Sequence, residues 1–436
     1  MLKKAEKILK KIEDFGFEAY FVGGCVRDKI MNRPLHDVDI ATSALPEQIQ
    51  EIFSDYKVIP TGIQYGTVTL LYDDVSFEIT TFRLEANYSD FRRPNAVKFT
   101  KNIEEDLARR DFTMNAIAMD RKGKIIDPFG GISDVENKII RCVGVPEKRF
   151  GEDALRIMRA VRFSSQLGFN IEERTSASIH AMCKKLSMIS RERIRDELNK
   201  LILGVNCVDV LLNYSDVITE IIPEFADCIG FDQHSDYHCY NVWEHTVRAV
   251  ASAESDRIRV RRALFFHDIG KPQCAMFDEN GKGHFKGHAS VSAELSHKIM
   301  KRLRYDSASI VETEFLIRYH SEKIRNKIEV KKLLAKLMPV LFFDLLELKR
   351  CDNAAKCEFV LKENEEIFQA GELAKTILQN DECIMMSHLD INGSDLIKLG
   401  FANKEIGIIL DELFNMVLEE KLKNKKEELI NYIKRR

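Results

Sequence analysis

A Gly-Gly turn followed closely by two aspartates one residue apart constrains this chain more than any other feature. Residues 23–28 read Gly-Gly-Cys-Val-Arg-Asp, and Asp37 and Asp39 flank Val38. In an extended segment alternate side chains share a face, so this spacing predicts a strand over 36–41. That strand points both carboxylates one way and Val38 and Ile40 into a core. Paired carboxylates repel each other unless a hard cation lies between them. A glycine turn opening into a helix offers backbone N–H groups to phosphate. The segment therefore asks for a small α/β unit, and its chemistry reads as a metal-held nucleoside triphosphate.

The flanking sequence supplies the rest of such a unit. A helix over 1–13 ends near Gly16, 18–22 reads as a strand, and 25–31 reads as a short helix. Pro46 opens a helix through Phe53, at the position where its missing N–H costs nothing. Residues 67–72 and 75–82 alternate like paired strands around Asp73-Asp74, a hairpin turn. From residue 141 onward Gly and Pro thin out and helical periodicity dominates, with a boundary near 223–230. At 436 residues the chain is too long for one core, so several domains are expected.

Composition removes several classes. No apolar run approaches the length of a membrane span, and residues 1–13 are Lys-rich and amphipathic without a signal-peptide core, so a cytoplasmic location is expected. The 10 cysteines include no Cys-x-x-Cys pair and read as reduced core residues, Cys351 and Cys357 among them. A net charge of −3 excludes a uniformly basic coat but leaves room for local basic patches at 191–200, 257–262, 298–304 and 421–436. Each patch reads either as a solvated helix face or as an RNA contact.

Three clusters carry the chemistry of the first half. Asp37 and Asp39 can bridge two Mg²⁺ ions. Glu78 adds a third carboxylate if its strand pairs beside theirs; otherwise it is an edge-strand glutamate facing solvent. In the run from Arg109 to Ala116, Asp111 and Asn115 share a face if the segment is helical. There Arg110 can hold triphosphate while Asp111 and Asn115 meet a ribose hydroxyl, or the set forms a structural ion-pair network. Asp153, Arg156, Arg159 and Arg162 recur every three residues along what reads as one helix, with Asp153 and Arg156 as close neighbours. A carboxylate accepts from an amino group and a guanidinium donates to a ring nitrogen. Cytosine and adenine both present that edge, and uracil and guanine present the opposite order, so one Asp/Arg pair could admit CTP and ATP and refuse UTP and GTP.

These clusters, in this order and spacing, resemble the class II bacterial tRNA nucleotidyltransferases, the CCA-adding enzymes of the polymerase-β-like superfamily, over about 20–169. The resemblance implies that Gly23, Gly24 and Arg27 bind triphosphate, Asp37 and Asp39 bind Mg²⁺, and Arg110 contacts nucleotide. It also implies that Asp153, Arg156, Arg159 and Arg162 line the nucleotide pocket. The run 83–94 resembles the flexible loop kept by enzymes that add the terminal A, favouring CCA or A-only addition over CC-only addition. Bacterial poly(A) polymerases share this head but match less well after Asn115 and usually carry a strongly basic tail.

The second half is rich in histidine. His245, the vicinal His267-Asp268 and Asp352 lie on three separate predicted helices and can enclose a transition metal or Mg²⁺. His288 and His320 can add a second metal, contact phosphate or be structural, and His284 and His297 are weaker candidates. The set looks like an HD phosphohydrolase domain, with Gly270 ending the signature helix. In that family the domain implies metal-dependent hydrolysis of a phosphate at a damaged tRNA end.

The expected architecture is α+β: a polymerase-β-like head with a small mixed sheet at 1–137, then an all-α neck at 138–228, an HD domain at 229–360 and a tRNA-binding tail at 361–436. The expected partners are the tRNA acceptor end, CTP and ATP, with no membrane. The rival reading is an HD phosphohydrolase whose front domain only binds nucleotides. A non-catalytic RNA-binding protein is disfavoured, because the paired carboxylates would repel phosphate without metal.

Overall fold

Ala5, Ile8, Leu9 and Ile12 recur at helical spacing, are fully buried, and seat α1 (Leu2–Asp14) on a sheet. The computed structural model describes residues 1–35, 37–88, 94–254 and 256–435. Contacts divide them into two units, 1–223 and 224–436.

In the first unit β1 (Ala19–Val22) ends at Gly23 and α2 (Gly24–Ile30) begins at once. Gly23 has φ 74° and ψ −135°, a conformation open almost only to glycine. Strand β2 (Asp39–Thr42) returns beside β1, and α3 (Pro46–Ile52) follows with its proline in the first turn. The strand expected over 36–41 begins later, at Asp39; Asp37 precedes it and His36 lies outside the described residues. Val38 and Ile40 are buried as the alternation requires.

Strands β3 (Lys57–Gly62), β4 (Thr67–Tyr72) and β5 (Val75–Thr81) complete one side of the sheet. Asp73 and Asp74, at φ 48° and 62°, make the tight turn between β4 and β5. A hairpin, β6 (Arg83–Tyr88) with β7 (Pro94–Phe99), stands where a flexible loop was expected. Its tip, 89–93, lies outside the described residues. After α4 (Ile103–Ala108) come the two-residue strands β8 (Ala118–Met119) and β9 (Ile125–Ile126). The seven-stranded order is β3-β4-β5-β2-β1-β8-β9, with β2 and β5 parallel and the other neighbours antiparallel. Strand β5 is thus interior, so Glu78 is not on an edge, but its side chain is exposed to solvent as the alternative reading expected.

Helices follow: α5 (Gly131–Glu136), α6 (Pro146–Glu152), α7 (Leu155–Leu167), α8 (Glu173–Met182), α9 (Arg191–Ile202), α10 (Cys207–Asn213) and α11 (Ser215–Ile221). Two expected helical placements are corrected. Asp111 and Phe112 lie beyond the end of α4, and residues 113–115 form only a single 3₁₀ turn. Asp153 is extended, at φ −139° and ψ 105°, between α6 and α7, so it does not share a helix with Arg156.

The second unit contains α12 (Val242–Ser252), α13 (Ile258–Phe266), α14 (His288–Arg302), α15 (Ser307–Tyr319) and α16 (Lys327–Ala354), the last kinked at Met338 before Pro339. Helix α13 stops at Phe266, so Gly270 does not cap it. A Cβ there would sit 2.8 Å from the Ser292 backbone nitrogen, and Gly270 therefore allows α14 its close approach. Leu396, Leu413 and Leu429 anchor a small separate core in the last helices. All ten cysteines are free, but Cys239 is exposed and Cys274 and Cys357 are only half-buried, contrary to the expectation of core thiols throughout, Cys357 included. No helix among the described residues is long and apolar enough to cross a membrane.

Two candidate sites: a nucleotide cleft and a histidine-rich metal centre

A cleft of about 610 Å³ in the first unit gathers residues from the glycine turn, β2, the 109–115 segment, α7 and α9. Gly23, Gly24, Arg27, Asp37, Asp39, Arg110, Asp111, Asn115, Asp153, Arg156, Arg159 and Arg162 all line it. Glu78 does not. It stands directly across from Asp39 in the β2–β5 register, on the parallel neighbour.

At the carboxylate end Asp39 reaches solvent through the open cleft, but the protein packed around it desolvates its carboxyl and pushes it up; Arg110 opposes this, and Glu78 and Asp37 push the same way. A cation would relieve this, and three carboxylates suit a hard one such as Mg²⁺. Arg110 reaches Asp106 at 3.3 Å, while its Nε is buried with no hydrogen-bond partner among the described residues. An anion beside it would supply one. Arg27 donates to Asn115 Oδ1 at 2.7 Å, and Asn115 Nδ2 donates to Asp111 Oδ1 at 3.2 Å. Asp111 and Asn115 do meet, through a turn instead of a helix face.

At the other end every charge has a counter-charge. Arg159 pairs with Asp111 at 2.7 Å, Arg162 with Glu197 at 2.6 Å, Arg156 with Glu152 at 2.8 Å and Asp153 with Arg193 at 2.8 Å. Arg156 also donates to the Arg109 carbonyl at 3.0 Å, and Asp153 Oδ1 accepts from the Leu155 backbone at 2.9 Å. Asp153 and Arg156 do stay neighbours, the Arg156 N–H donating to the Asp153 carbonyl at 3.0 Å, and each side chain is braced by its own counter-charge on one cleft. Burial would raise the Asp111 carboxyl, but Arg159 and Arg156 hold it down to about 2. The Phe163 ring lies under Arg162 at 3.7 Å, with Arg27 and Arg159 at 5.2 and 5.3 Å.

Sequence reading missed Arg193, Glu197, Glu152 and Phe163. Arg193 and Glu197 are four apart on α9 and so share a face. The run 191–200 had read only as a basic patch, and nothing local separates such a helix from a solvated one.

The second site centres on Asp268. His245 from α12, His267 and Asp268 just after α13, and Asp352 from α16 converge, and His288 and His320 close the far side. The Nδ1 atoms of His245, His267, His288 and His320 lie 3.1, 2.6, 2.8 and 2.6 Å from the backbone oxygens of Ala355, Leu264, Phe285 and Ile317. A carbonyl can only accept, so each Nδ1 carries the proton and each Nε2 presents a bare lone pair. Those Nε2 atoms face each other in pairs, 3.3 Å apart for His245 and His267 and 3.2 Å apart for His288 and His320. Facing lone pairs at that distance call for a cation.

Asp268 divides between the two pairs. Oδ2 lies 3.3 and 3.2 Å from His245 and His267, and Oδ1 lies 3.4 and 3.8 Å from His288 and His320. Neither oxygen has an aligned hydrogen-bond donor among the described residues, although Lys271 Nζ stands 2.7 Å from Oδ2. Asp352 Oδ1 joins the first pair, 3.0 Å from His245. Burial disfavours charge on His267, yet Asp268 and Asp352 push it up to about 9, so at neutral pH its Nε2 holds a second proton that a metal ion would have to displace; burial lowers His288 and His320. The residues therefore fit two metal positions that share Asp268.

Next to the centre is a cavity of about 510 Å³ with Lys271, Lys349 and Lys356 in its lining. His284 lies on its rim, paired with Asp278 at 3.1 Å, and His297 pairs with Glu314 at 3.1 Å; neither joins the centre.

Three family models match the chain in succession: the poly A polymerase head domain over 19–141, the probable RNA and SrmB-binding site of polymerase A over 168–229, and the HD domain over 236–354. The chain therefore carries, in this order, a poly A polymerase head domain, the RNA-binding segment that goes with it and an HD domain. Among curated proteins it is similar to the CCA-adding enzyme of Lactobacillus delbrueckii subsp. bulgaricus, 60% identical over 201 residues, which are 46% of this chain and 50% of that protein. It is also similar to the CCA-adding enzyme of Lactobacillus helveticus, 54% identical over 224 residues, or 51% and 56% of the two chains. The chain thus spans about half the length of the curated relatives it matches. Among solved structures, the Bacillus stearothermophilus CCA-adding enzyme in complex with CTP is similar over 100% of this chain and 97% of that one. The TM-score is 0.73 and the identity 29%.

Proposed function

We propose that this chain is a cytoplasmic enzyme that adds CMP, CMP and AMP to the 3′ end of tRNA without a nucleic-acid template. The observation that carries the reading is a single cleft with mutually repelling carboxylates at one end and a separately braced Asp153 and Arg156 at the other. The names of the relatives and the CTP in the Bacillus stearothermophilus complex support the same substrates.

In this scheme Gly23, Gly24, Arg27 and Arg110 hold the triphosphate, and Asp37 and Asp39, with Glu78 behind them, hold Mg²⁺. When bound, Mg²⁺ would activate the attacking hydroxyl and neutralise the leaving pyrophosphate. Asp111 and Asn115 orient the sugar. Asp153 accepts from the amino group of cytosine or adenine and Arg156 donates to the ring nitrogen, while Arg159 and Arg162 fix the wall behind them. The tRNA 3′-hydroxyl then attacks the α-phosphorus, and the protein's contribution is position and electrostatics. The head is read as 1–137, the neck as 138–228 and the tail, 361–436, as tRNA-binding.

The shared Asp268 favours a second activity, metal-dependent phosphohydrolysis in the HD domain, read as 229–360. His245, His267, Asp268 and Asp352 would hold one metal and His288 and His320 a second, with the cavity lysines receiving phosphate.

One experiment separates the readings. The chain is incubated with tRNA ending at the discriminator base, at C and at CC, with CTP, ATP or both. Completion of CCA supports full addition. Stops after CC, addition of A alone, or a long A tail replace it with the CC-adding, A-adding or poly(A) alternative. Phosphate release without extension makes the chain an HD hydrolase with a nucleotide-binding front.

A further inference from the structure

Cys239 and Cys357 are 118 residues apart in the chain, yet their sulfurs lie 2.8 Å apart. Cys239 is exposed and Cys357 half-buried, whereas seven of the other eight cysteines are buried. The backbone already joins the two segments, because the Cys357 N–H donates to the Tyr237 carbonyl at 3.0 Å. The Tyr237 ring also meets Phe359 at 5.5 Å. A disulfide, about 2.04 Å long, therefore requires an approach of less than about 1 Å between groups the fold has brought together. Both segments border the cavity beside Asp268: Tyr237 and His238 on one side, Asp352, Asn353 and Lys356 on the other.

We propose that Cys239 and Cys357 form a thiol modification site that hydroperoxides convert to an intramolecular disulfide across the mouth of this cavity. Exposure makes Cys239 the attacking sulfur. The Cys239 sulfur beside it, together with burial, pushes the Cys357 thiol up to about 11, which suits Cys357 to the second, resolving step. Cys239 attacks the peroxide, the O–O bond breaks, and Cys239 becomes a sulfenic acid as the alcohol (water, for hydrogen peroxide) leaves with a proton. Cys357 then attacks the sulfenyl sulfur; the S–O bond breaks, the S–S bond forms, and the Cys357 proton leaves with the hydroxyl as water. Overall two thiols lose two hydrogens and one peroxide is reduced. The bond pins the Tyr237–His238 segment to the end of α16 and restricts entry to the cavity. That consequence rests on the metal-centre reading; the bond itself does not.

The intact chain is treated with one equivalent of hydrogen peroxide, its thiols are counted after denaturation, and its peptides are mapped. Free thiols should fall from ten to eight with the 239 and 357 peptides linked, and a thiol reductant should restore them. Cys239→Ser and Cys357→Ser should each form no intramolecular link, and Cys274→Ser should behave as wild type. No thiol loss, a bond to Cys274 or between chains, or sulfinic acid at Cys239 beside a free Cys357 overturns the proposal. In an Asp37→Ala/Asp39→Ala chain, which removes the metal ligands proposed for the head, release of bound Mn²⁺ to a chelator should be slower in the oxidised protein, and equal rates overturn the gating. A protein that binds no Mn²⁺ in either state sinks the metal-centre reading instead, and the peptide map then decides the disulfide alone.

Discussion

Replacing Gly23 with alanine separates backbone strain from ligand contact at the glycine turn. At φ 74° and ψ −135° a Cβ is strained whatever the space around it, at a cost of about 1–3 kcal/mol. For a unit of this size that lowers the melting temperature by about 2–4 °C per kcal/mol. The same Cβ would lie 2.8 Å from Arg110 Nη1. That atom is the far end of a flexible side chain, so it moves aside cheaply, but moving it takes the guanidinium from where the triphosphate is expected. Losing one charge-assisted contact of about 1.5–3 kcal/mol weakens CTP binding roughly 10- to 100-fold. Gly16→Ala is the control: its φ is 88°, and a Cβ there meets nothing within 4 Å. Both variants should melt earlier by scanning calorimetry, and only Gly23→Ala should lose CTP affinity by equilibrium titration. Equal CTP affinity in the two variants would refute the placement of Arg110 on the triphosphate.

Asp37→Ala should abolish nucleotide incorporation while leaving tRNA binding within about twofold in a filter assay, and normal turnover would remove the metal role from the paired carboxylates. Arg156→Ala should raise misincorporation of UTP and GTP more than it raises the KM for CTP; unchanged preference would sink the base-reading role. Asp111, held down to about 2 although burial opposes it, has a folded pKa below its unfolded value. Its stabilisation, about 2–3 kcal/mol, is full above about pH 4 and lost as pH falls through about 2. Asp111→Asn should therefore lose that much at pH 7 and flatten the acid side of the stability profile, which denaturant titrations across pH can check. In the second unit, His320→Ala should bind one Mn²⁺ fewer than wild type by equilibrium dialysis while extending tRNA equally; an unchanged count would refute the second position on the shared Asp268.

The parts of the head that were legible in the sequence are those set by local backbone chemistry. The alternation of Asp37, Val38, Asp39 and Ile40 gives the same burial in the fold, and Asp73-Asp74 makes its turn because aspartate tolerates the left-handed region the hairpin needs. The misplacements also have physical causes. A spacing of four brings Asp111 and Asn115 together equally well through a turn, so periodicity could not tell the two apart. Asp153 lies where α6 gives way to α7, and the nearest glycine, Gly151, is still inside α6, so it does not by itself mark the break. Arg193 reaches Asp153 across 40 residues, and in a sequence a basic helix that braces a cleft looks the same as one that faces water.

Which charges are left unpaired separates the framework of these sites from their ligand positions. In the cleft Asp153, Arg156, Arg159 and Arg162 each have a fixed counter-charge, so a base that binds there meets preset donors and acceptors and needs to neutralise nothing. Arg110, although beside Asp106, keeps a buried Nε without a hydrogen-bond partner among the described residues, and the Asp39 carboxyl is pushed up despite Arg110; both stand where phosphate and cation would arrive together. The second site repeats the pattern: four Nδ1 protons are satisfied by carbonyls, and only the Nε2 lone pairs and both oxygens of Asp268 remain. Trp243 Nε1 is also buried without a partner among the described residues; it lines neither cavity, and nothing in the structure explains it. Because the unmet atoms in each site are charged or metal-ligating and converge, a bound ion removes a standing cost as well as adding contacts. Stripping metal should therefore lower the stability of the second unit, whose Nε2 atoms face each other within 3.3 Å, more than that of the first, whose Asp37 and Asp39 open to solvent. Differential scanning with and without chelator measures this directly, and equal shifts in the two units would contradict it.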